Sequence, residues 1–181
     1  MIEFELYVQI DDPPEDEPRG DCLIEGCTEF TNMLVSKPFM EHQSLYGERC
    51  ALDVKYLVLM NAVEARVNIE VLHVGAIGVD MKLCAKTSGF SEVIQLFRGA
   101  APEPGCVMSF VVAVVRYSDL DLYIEGSPKN DHVLGQEPLP VSWWQCSVGS
   151  GYHGTDEEVA KLDEFATFSV KVTWKFHLKK P

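Results

Sequence analysis

The sequence lacks any Cys-x-x-Cys pair, the spacing typical of zinc ribbons and thioredoxin-like redox sites. Its six cysteines are Cys22, Cys27, Cys50, Cys84, Cys106 and Cys146. Because they are far apart in a chain of 181 residues, they favour scattered core thiols over the disulfide framework of a small secreted scaffold. The sequence therefore predicts neither a structural zinc site nor a redox pair.

A basic N-terminus and a long apolar run are also missing. The chain begins MIEFE, and no segment is apolar and long enough for a signal peptide or a membrane span. We therefore expect an intracellular, cytoplasmic protein with no membrane association.

Basic residues are few, with 15 Lys and Arg against 28 Asp and Glu and a formal net charge of -13. Neutralising phosphates supplies most of the affinity of proteins for nucleic acids, and anionic lipid attracts the same positive charge. An acidic surface opposes both kinds of binding. The composition therefore predicts no nucleic-acid partner.

What the sequence does contain is a two-residue rhythm of apolar and polar side chains. Ile2, Phe4, Leu6, Val8 and Ile10 alternate with polar neighbours, and residues 168–179 repeat the pattern. Alternate positions lie on one face of a strand, so each of these segments offers an apolar face to a core. We predict one all-β domain over residues 1–181, an antiparallel β-sandwich with at most one short helix.

The segment 51–74 contains neither Gly nor Pro. As one straight strand it would reach roughly 80 Å, whereas a domain of this size is only about 40 Å across. Its apolar residues occupy even positions up to Val58 and odd positions from Val63. A change of phase requires a bulge or a hairpin turn, so we predict two strands with the break at Asn61.

Several other segments have the length and composition of strands. Residues 107–115 are apolar at both odd and even positions, which predicts a central strand covered on both faces. The sequence TDEE at 155–158 is a capping box, which predicts a short helix with Val159 and Leu162 facing inward. The remaining strands are predicted at 80–86, 92–97, 107–117 and 119–125.

Four segments together resemble a known family: CALDV at 50–54, NAVEARVNIEV at 61–71, FELYV at 4–8 and VKVTW at 170–174. They are similar to the grass (monocot) domain-of-unknown-function family DUF6598, and the resemblance spans most of the chain. Members of this family occur alone or C-terminal to ribosome-inactivating domains of the jasmonate-induced type. They usually carry further strands ahead of the segment 2–10, so the resemblance implies that only part of the family domain is present here.

The association with ribosome-inactivating proteins raises the question of rRNA N-glycosidase activity. Such enzymes resemble one another in a helical Glu-x-x-Arg pair, and the nearest candidate here is Glu64-Ala65-Arg66. On an alternating strand this spacing makes a surface ion pair, so depurination by this chain is not expected. A remnant of a ribosome-inactivating protein without its catalytic domain stays open as an alternative.

Other chemical sites are poorly supported. The acidic loop 11–21 could offer oxygen ligands to calcium, but it lacks the spacing of a twelve-residue calcium loop. The five histidines share no ligand spacing, and no cysteine has flanking cations that would activate it, although Cys106 could pair with His132 or His153. We therefore predict no enzyme activity, no metal and no cofactor.

The best binding candidate is the pair Trp143-Trp144, followed by Tyr152 and His153 in a Gly-rich loop. Neighbouring side chains of a strand point to opposite faces, so only one tryptophan can fill a given core. The other could anchor a protein or stack on a sugar, unless a nearby loop covers it. We predict a non-catalytic interaction or accessory module with a protein partner, with small-ligand or carbohydrate binding through the tryptophans as the alternative.

Overall fold

A computed structural model describes residues 2–7, 22–28, 37, 39–47, 50–88, 91–129, 140–151 and 153–176. These residues form antiparallel strands and no helix, so none of them belongs to a helix that could cross a membrane. The prediction of an all-β fold is confirmed. The strands are β1 (Ile2–Tyr7), β2 (Cys22–Thr28), β3 (Phe39–Tyr46), β4 (Ala51–Val58), β5 (Ala62–Val74), β6 (Val79–Thr87), β7 (Ile94–Ala100), β8 (Val107–Val115), β9 (Asp119–Pro128), β10 (Ser142–Gly149), β11 (His153–Leu162) and β12 (Ala166–Lys175).

The chain divides into two compact units, Met1–Val58 and Leu59–Pro181. In the first unit, β1 pairs with β2 and β3 pairs with β4, both antiparallel. The backbone N–H of Gly47 donates to the Cys50 carbonyl over 2.8 Å and closes the connection from β3 to β4. The Cys50 thiol donates to the Leu23 carbonyl over 3.3 Å, which attaches this connection to β2.

The second unit is a sandwich of two four-stranded sheets. The front sheet has the strand order β10-β9-β6-β7, and the back sheet has the order β11-β12-β5-β8. Their inner faces share one apolar core, in which Leu83 and Leu122 of the front sheet meet Val67 and Phe168 of the back sheet with no exposed surface. This arrangement matches the predicted antiparallel sandwich.

The predicted break at Asn61 is confirmed, because β4 ends at Val58 and β5 begins at Ala62. Asn61 adopts a φ of 53°, a left-handed conformation that asparagine tolerates better than most residues. The break is not a hairpin turn, since β4 pairs with β3 whereas β5 pairs with β12 and β8. The phase change therefore marks the passage from one unit to the next.

The strands predicted at 80–86, 92–97, 107–117 and 119–125 correspond to β6, β7, β8 and β9, with ends displaced by up to three residues. The alternating segments at the two ends of the chain form β1 and β12. Residues 8–10 and 177–179, which the pattern also includes, lie outside the described residues.

The prediction that residues 107–115 form a central strand is wrong. β8 lies at the edge of the back sheet, where it pairs with β5. Val107 and Val111 are 55% and 63% exposed, whereas Val112 and Val114 face the core. Valine favours extended backbone even where it is not buried, so an apolar run on both phases does not distinguish a central strand from an edge strand.

The predicted helix at 155–158 is also wrong, because these residues belong to β11. Thr155 lies opposite Thr173 of β12, and Glu158 lies opposite Val170. The Trp174 indole N–H donates to Asp156 over 2.9 Å and strengthens the attachment of β11 to its neighbour. A capping box is worth about 1 kcal/mol, less than a ten-residue ladder gains from pairing with β12.

Candidate functional site

The two adjacent tryptophans of β10 have different environments. Trp144 lies opposite Ile124 and packs against the core. Trp143 lies on the outer face of the front sheet and is 67% exposed. This confirms that only one of the two fills the core, and it leaves the Trp143 indole available to a ligand.

The outer face of the front sheet carries a row of four side chains, one from each strand. Trp143 of β10 lies opposite Glu125 of β9, which lies opposite Lys82 of β6. Lys82 lies opposite Arg98 of β7. Since neighbouring strands are about 4.8 Å apart, the row crosses roughly 14 Å of the sheet. The aromatic side chain of Trp143 is at one end of the row, and the cations Lys82 and Arg98 are at the other.

A groove of about 360 Å³ runs beside this row across β9, β6 and β7 and reaches Val141, just before β10, and we call it the front groove. Glu125, Lys82 and Arg98 form one wall, while Val141, Ser127 and Asp80 form the other. The residues between the walls are Met81, Gly99 and Gly126. These three residues alternate with the outward-facing residues of the walls, so their backbones form the floor, and the groove has the size of a small-ligand site.

A second depression of about 240 Å³ lies on the other side of the same row. It shares Lys82 and Glu125 with the front groove and adds Tyr123, Val93 and Cys84. The Lys82 and Glu125 side chains therefore form a ridge between two hollows. A ligand in the front groove would contact this ridge from one side.

The charges in the front groove balance. Two carboxylates, Asp80 and Glu125, accompany two cations, Lys82 and Arg98, in a chain whose formal net charge is -13. None of these four side chains forms a hydrogen bond or an ion pair with another described residue. Both donors and acceptors are thus available to a ligand.

The two thiols of the front sheet, Cys84 and Cys146, do not have the properties of nucleophiles. Burial raises the pKa of Cys84, with an opposing effect from Lys82 and a smaller raising effect from Glu125. Burial, followed by the negative charges of Glu158 and Asp121, raises the pKa of Cys146 to about 12. A thiol that keeps its proton at neutral pH is a poor nucleophile.

The expectation of scattered core thiols is confirmed only in part. The five cysteines whose side chains are described are all free. Cys84 is buried, but Cys22 and Cys106 are exposed and do not contribute to a core.

The structure does not bring Cys106 and His153 together, and the described residues form no cluster of metal ligands. Cys106 lies just before β8, and His153 lies in β11, three strands away at the opposite edge of the back sheet and aligned with Ala113, seven residues along β8 from Cys106. His132 and the acidic loop 11–21 are outside the described residues. The described part of the chain contains no group of three His, Cys, Asp or Glu side chains placed to hold a metal ion.

Of the predicted binding residues that the structure describes, His153 is separated from the two tryptophans. His153 is exposed in the back sheet opposite Lys175, whereas Trp143 belongs to the front sheet. Tyr152 lies outside the described residues. Among the described members of the predicted set, Trp143 is the one on the outer face of the front sheet: it lies opposite Glu125, which lines the front groove, but it does not line the groove itself.

Glu64 and Arg66 form the surface ion pair that their spacing predicts. Their closest nitrogen and oxygen atoms are 3.4 Å apart, and the Arg66 side chain is 55% exposed. Both residues lie on β5, a strand of the back sheet, so they are not part of the front groove.

Sequence reasoning missed Lys82, Arg98 and Glu125. Alternation along β6 and β9 indicates that Lys82 and Glu125 face away from the core, but it does not indicate that they are neighbours. Their proximity depends on the pairing of β6 with β9, which is distant in sequence, and on the register of β6 with β7, which the alternation does not give. A charged residue at an alternate strand position is a weak signal by itself, because most such residues form a solvated face.

Comparison with known proteins gives a family and nothing more specific. Residues 1–172 match DUF6598, which is described as a domain of unknown function. No curated protein and no solved structure matches the chain. Because the match includes nearly all of the 181 residues, the chain belongs to the DUF6598 family, as its strand segments predict.

Proposed function

We propose that this protein is a non-catalytic carbohydrate-binding module and that the front groove is its binding site. The observation that carries the proposal is the position of Trp143, 67% exposed at the end of a row of polar side chains. An indole ring offers a rigid apolar plane, and the C–H face of a pyranose ring matches such a plane. Covering this ring would remove a large apolar surface from water.

The polar groups of the front groove support a sugar as the ligand. Sugar hydroxyls both donate and accept hydrogen bonds, and they need partners of both kinds when they leave water. Lys82 and Arg98 donate, Asp80 and Glu125 accept, and the Ser127 hydroxyl does either. A groove that runs across three strands and reaches Val141 also suits an extended chain of sugar rings.

A protein partner is the second candidate, because an exposed tryptophan near an arginine has the composition of an interface hot spot. The apolar surface around Trp143 is small, however. Val141, two residues before Trp143, and Tyr123, two residues before Glu125 on β9, are the nearby side chains with apolar surface, while Gln145, Glu125 and Ser127 are polar. A protein interface needs a wider apolar centre than these residues provide, which is why we place the sugar first.

The test begins with an array of neutral and acidic oligosaccharides, followed by calorimetric titration of the saccharide that binds best. We expect Trp143→Ala to weaken binding about ten-fold or more, because the stacking surface is lost. Tyr46→Ala is the matched control, since Tyr46 is 83% exposed but belongs to the first unit. It should bind like the wild type.

Two results would overturn the proposal. One is the absence of any bound saccharide on the array, and the other is a Trp143→Ala variant that binds as tightly as the wild type. Circular dichroism of each variant checks that it has kept its strand content. If no sugar binds but a purified protein partner depends on Trp143, the second candidate replaces the first.

A further inference from the structure

We propose that Lys82 and Arg98 make the front groove selective for saccharides that carry a carboxylate, as uronic acids do. This inference rests on the proposed carbohydrate-binding function and specifies its ligand class. It also assigns different tasks to the two ends of the row beside the groove, with stacking at Trp143 and anion recognition at Arg98.

The first argument is the placement of the two cations. Lys82 and Arg98 lie directly opposite each other on β6 and β7, and both side chains are exposed on the outer face of the front sheet. Like charges directly opposite each other destabilise a sheet. An anion bound between them would remove this repulsion, so the groove favours a negatively charged group at this point.

The second argument is that Arg98 has no carboxylate across from it. Lys82 has Glu125 on its other side, but among the described strands β7 pairs only with β6, which offers Lys82 to Arg98. Asp80, the other carboxylate of the groove, lies opposite Ala100. Neither Lys82 nor Arg98 forms an ion pair or a side-chain hydrogen bond with another described residue.

The third argument concerns the shape of the two cationic groups. A guanidinium presents parallel N–H donors that match the two oxygens of a carboxylate, whereas an ammonium acts as a compact point charge. Arg98 is therefore suited to a bidentate contact, and Lys82 can add one hydrogen bond from the opposite strand. Together they recognise a planar carboxylate better than a hydroxyl.

The distance between Trp143 and Arg98 sets the size of a ligand that contacts both. Trp143 and Arg98 are three strand spacings apart, about 14 Å, so a single small anion cannot contact both. A ligand that stacks on the indole and reaches the guanidinium must be an extended chain. An oligosaccharide with an acidic ring at one end or along its length meets this requirement.

The experiment compares trigalacturonic acid with its methyl ester, which has the same length and hydroxyl pattern but no carboxylate charge. We expect the wild type to bind the acid about ten-fold more tightly than the ester, since hydrogen bonds to charged groups are stronger than those to neutral ones. Arg98→Gln should lose most of this preference and bind acid and ester alike. Added salt should weaken binding of the acid but not of the ester.

Lys86→Gln is the matched control. Lys86 is an exposed cation of the same strand β6, but it lies opposite Asp121 and outside the groove lining. It should keep the full preference for the acid. Because both cations are exposed, neither variant is expected to unfold, and a thermal melt verifies this.

Failure of this inference is distinguishable from failure of the proposed function. Equal binding of acid and ester, or an Arg98→Gln variant that keeps the preference, would overturn the inference even if Trp143 is required for binding. The same conclusion follows if neutral saccharides of the array bind through Trp143 and no acidic one does. If no saccharide binds, the carbohydrate-binding function itself is wrong.

Discussion

Gly126 allows the two sheets of the sandwich to approach each other directly beneath the front groove. A Cβ atom at this position would lie 2.7 Å from Leu162 Cδ1 and 3.1 Å from Val79 Cγ1. Leu162 belongs to β11 of the back sheet, and both neighbours are fully buried. A larger residue would therefore push into the core and displace the Gly126 backbone, which is part of the floor of the groove.

We expect Gly126→Ala to lower the free energy of unfolding by about 1–3 kcal/mol, the usual cost of overpacking a core. Gly149→Ala is the control, because a Cβ at Gly149 would meet only Asp119 Oδ1, at 3.8 Å. Urea denaturation of both variants measures the difference. Equal midpoints for the two variants would show that the sheets are not in close contact at Gly126.

The tryptophan pair shows how far residue-level reasoning extends. Strand geometry predicts that Trp143 and Trp144 point to opposite faces, and this prediction is confirmed. The sequence does not indicate which of them faces the core, because that depends on the partner strand. Ile124 is fully buried and lies opposite Trp144, and this pairing places Trp144 inside and Trp143 outside.

At the scale of strands, β8 shows the limit of periodicity. Its apolar residues occupy both phases, yet they experience different environments in the structure. Val111 faces outward on an edge strand, whereas Val112 is 4% exposed and belongs to the core. Whether a strand is central or at an edge depends on non-local pairing, which the residues of the strand do not encode.

Replacing each of these valines by threonine tests the position of β8, because the two side chains have the same shape and differ by one hydroxyl. Val112→Thr should cost about 1–3 kcal/mol, the penalty for burying an unpaired hydroxyl. Val111→Thr should change the stability by less than about 0.5 kcal/mol. Chemical denaturation gives both values, and a large loss for Val111→Thr would mean that β8 is covered on both faces.

The error at β11 has the same origin as the error at β8. The capping box at 155–158 is a valid local signal, but the strand that contains it, β11, pairs with β12 along ten residue pairs. A local preference of about 1 kcal/mol does not compete with such a ladder. In an all-β chain, a short capping motif beside a strand that can pair with it is therefore weak evidence for a helix.

At the scale of the whole molecule, the fold class follows from dyad periodicity, whereas the binding site does not. Apolar residues at alternate positions predict β5, β6, β9 and β12 and the faces that they bury. The front groove needs in addition the strand order β10-β9-β6-β7, which brings Trp143, Lys82 and Arg98 into one row. That order depends on contacts between distant segments, and it lies wholly within the second unit.

The most direct test of the central claim is a map of the ligand-contacting surface by nuclear magnetic resonance. The ¹⁵N-labelled protein is titrated with the saccharide that binds best on the array. We expect the shift changes to concentrate at the Trp143 indole N–H and in β10, β9, β6 and β7 around the front groove. Changes centred on the back sheet or on residues 1–58, with the Trp143 indole unaffected, would contradict the account.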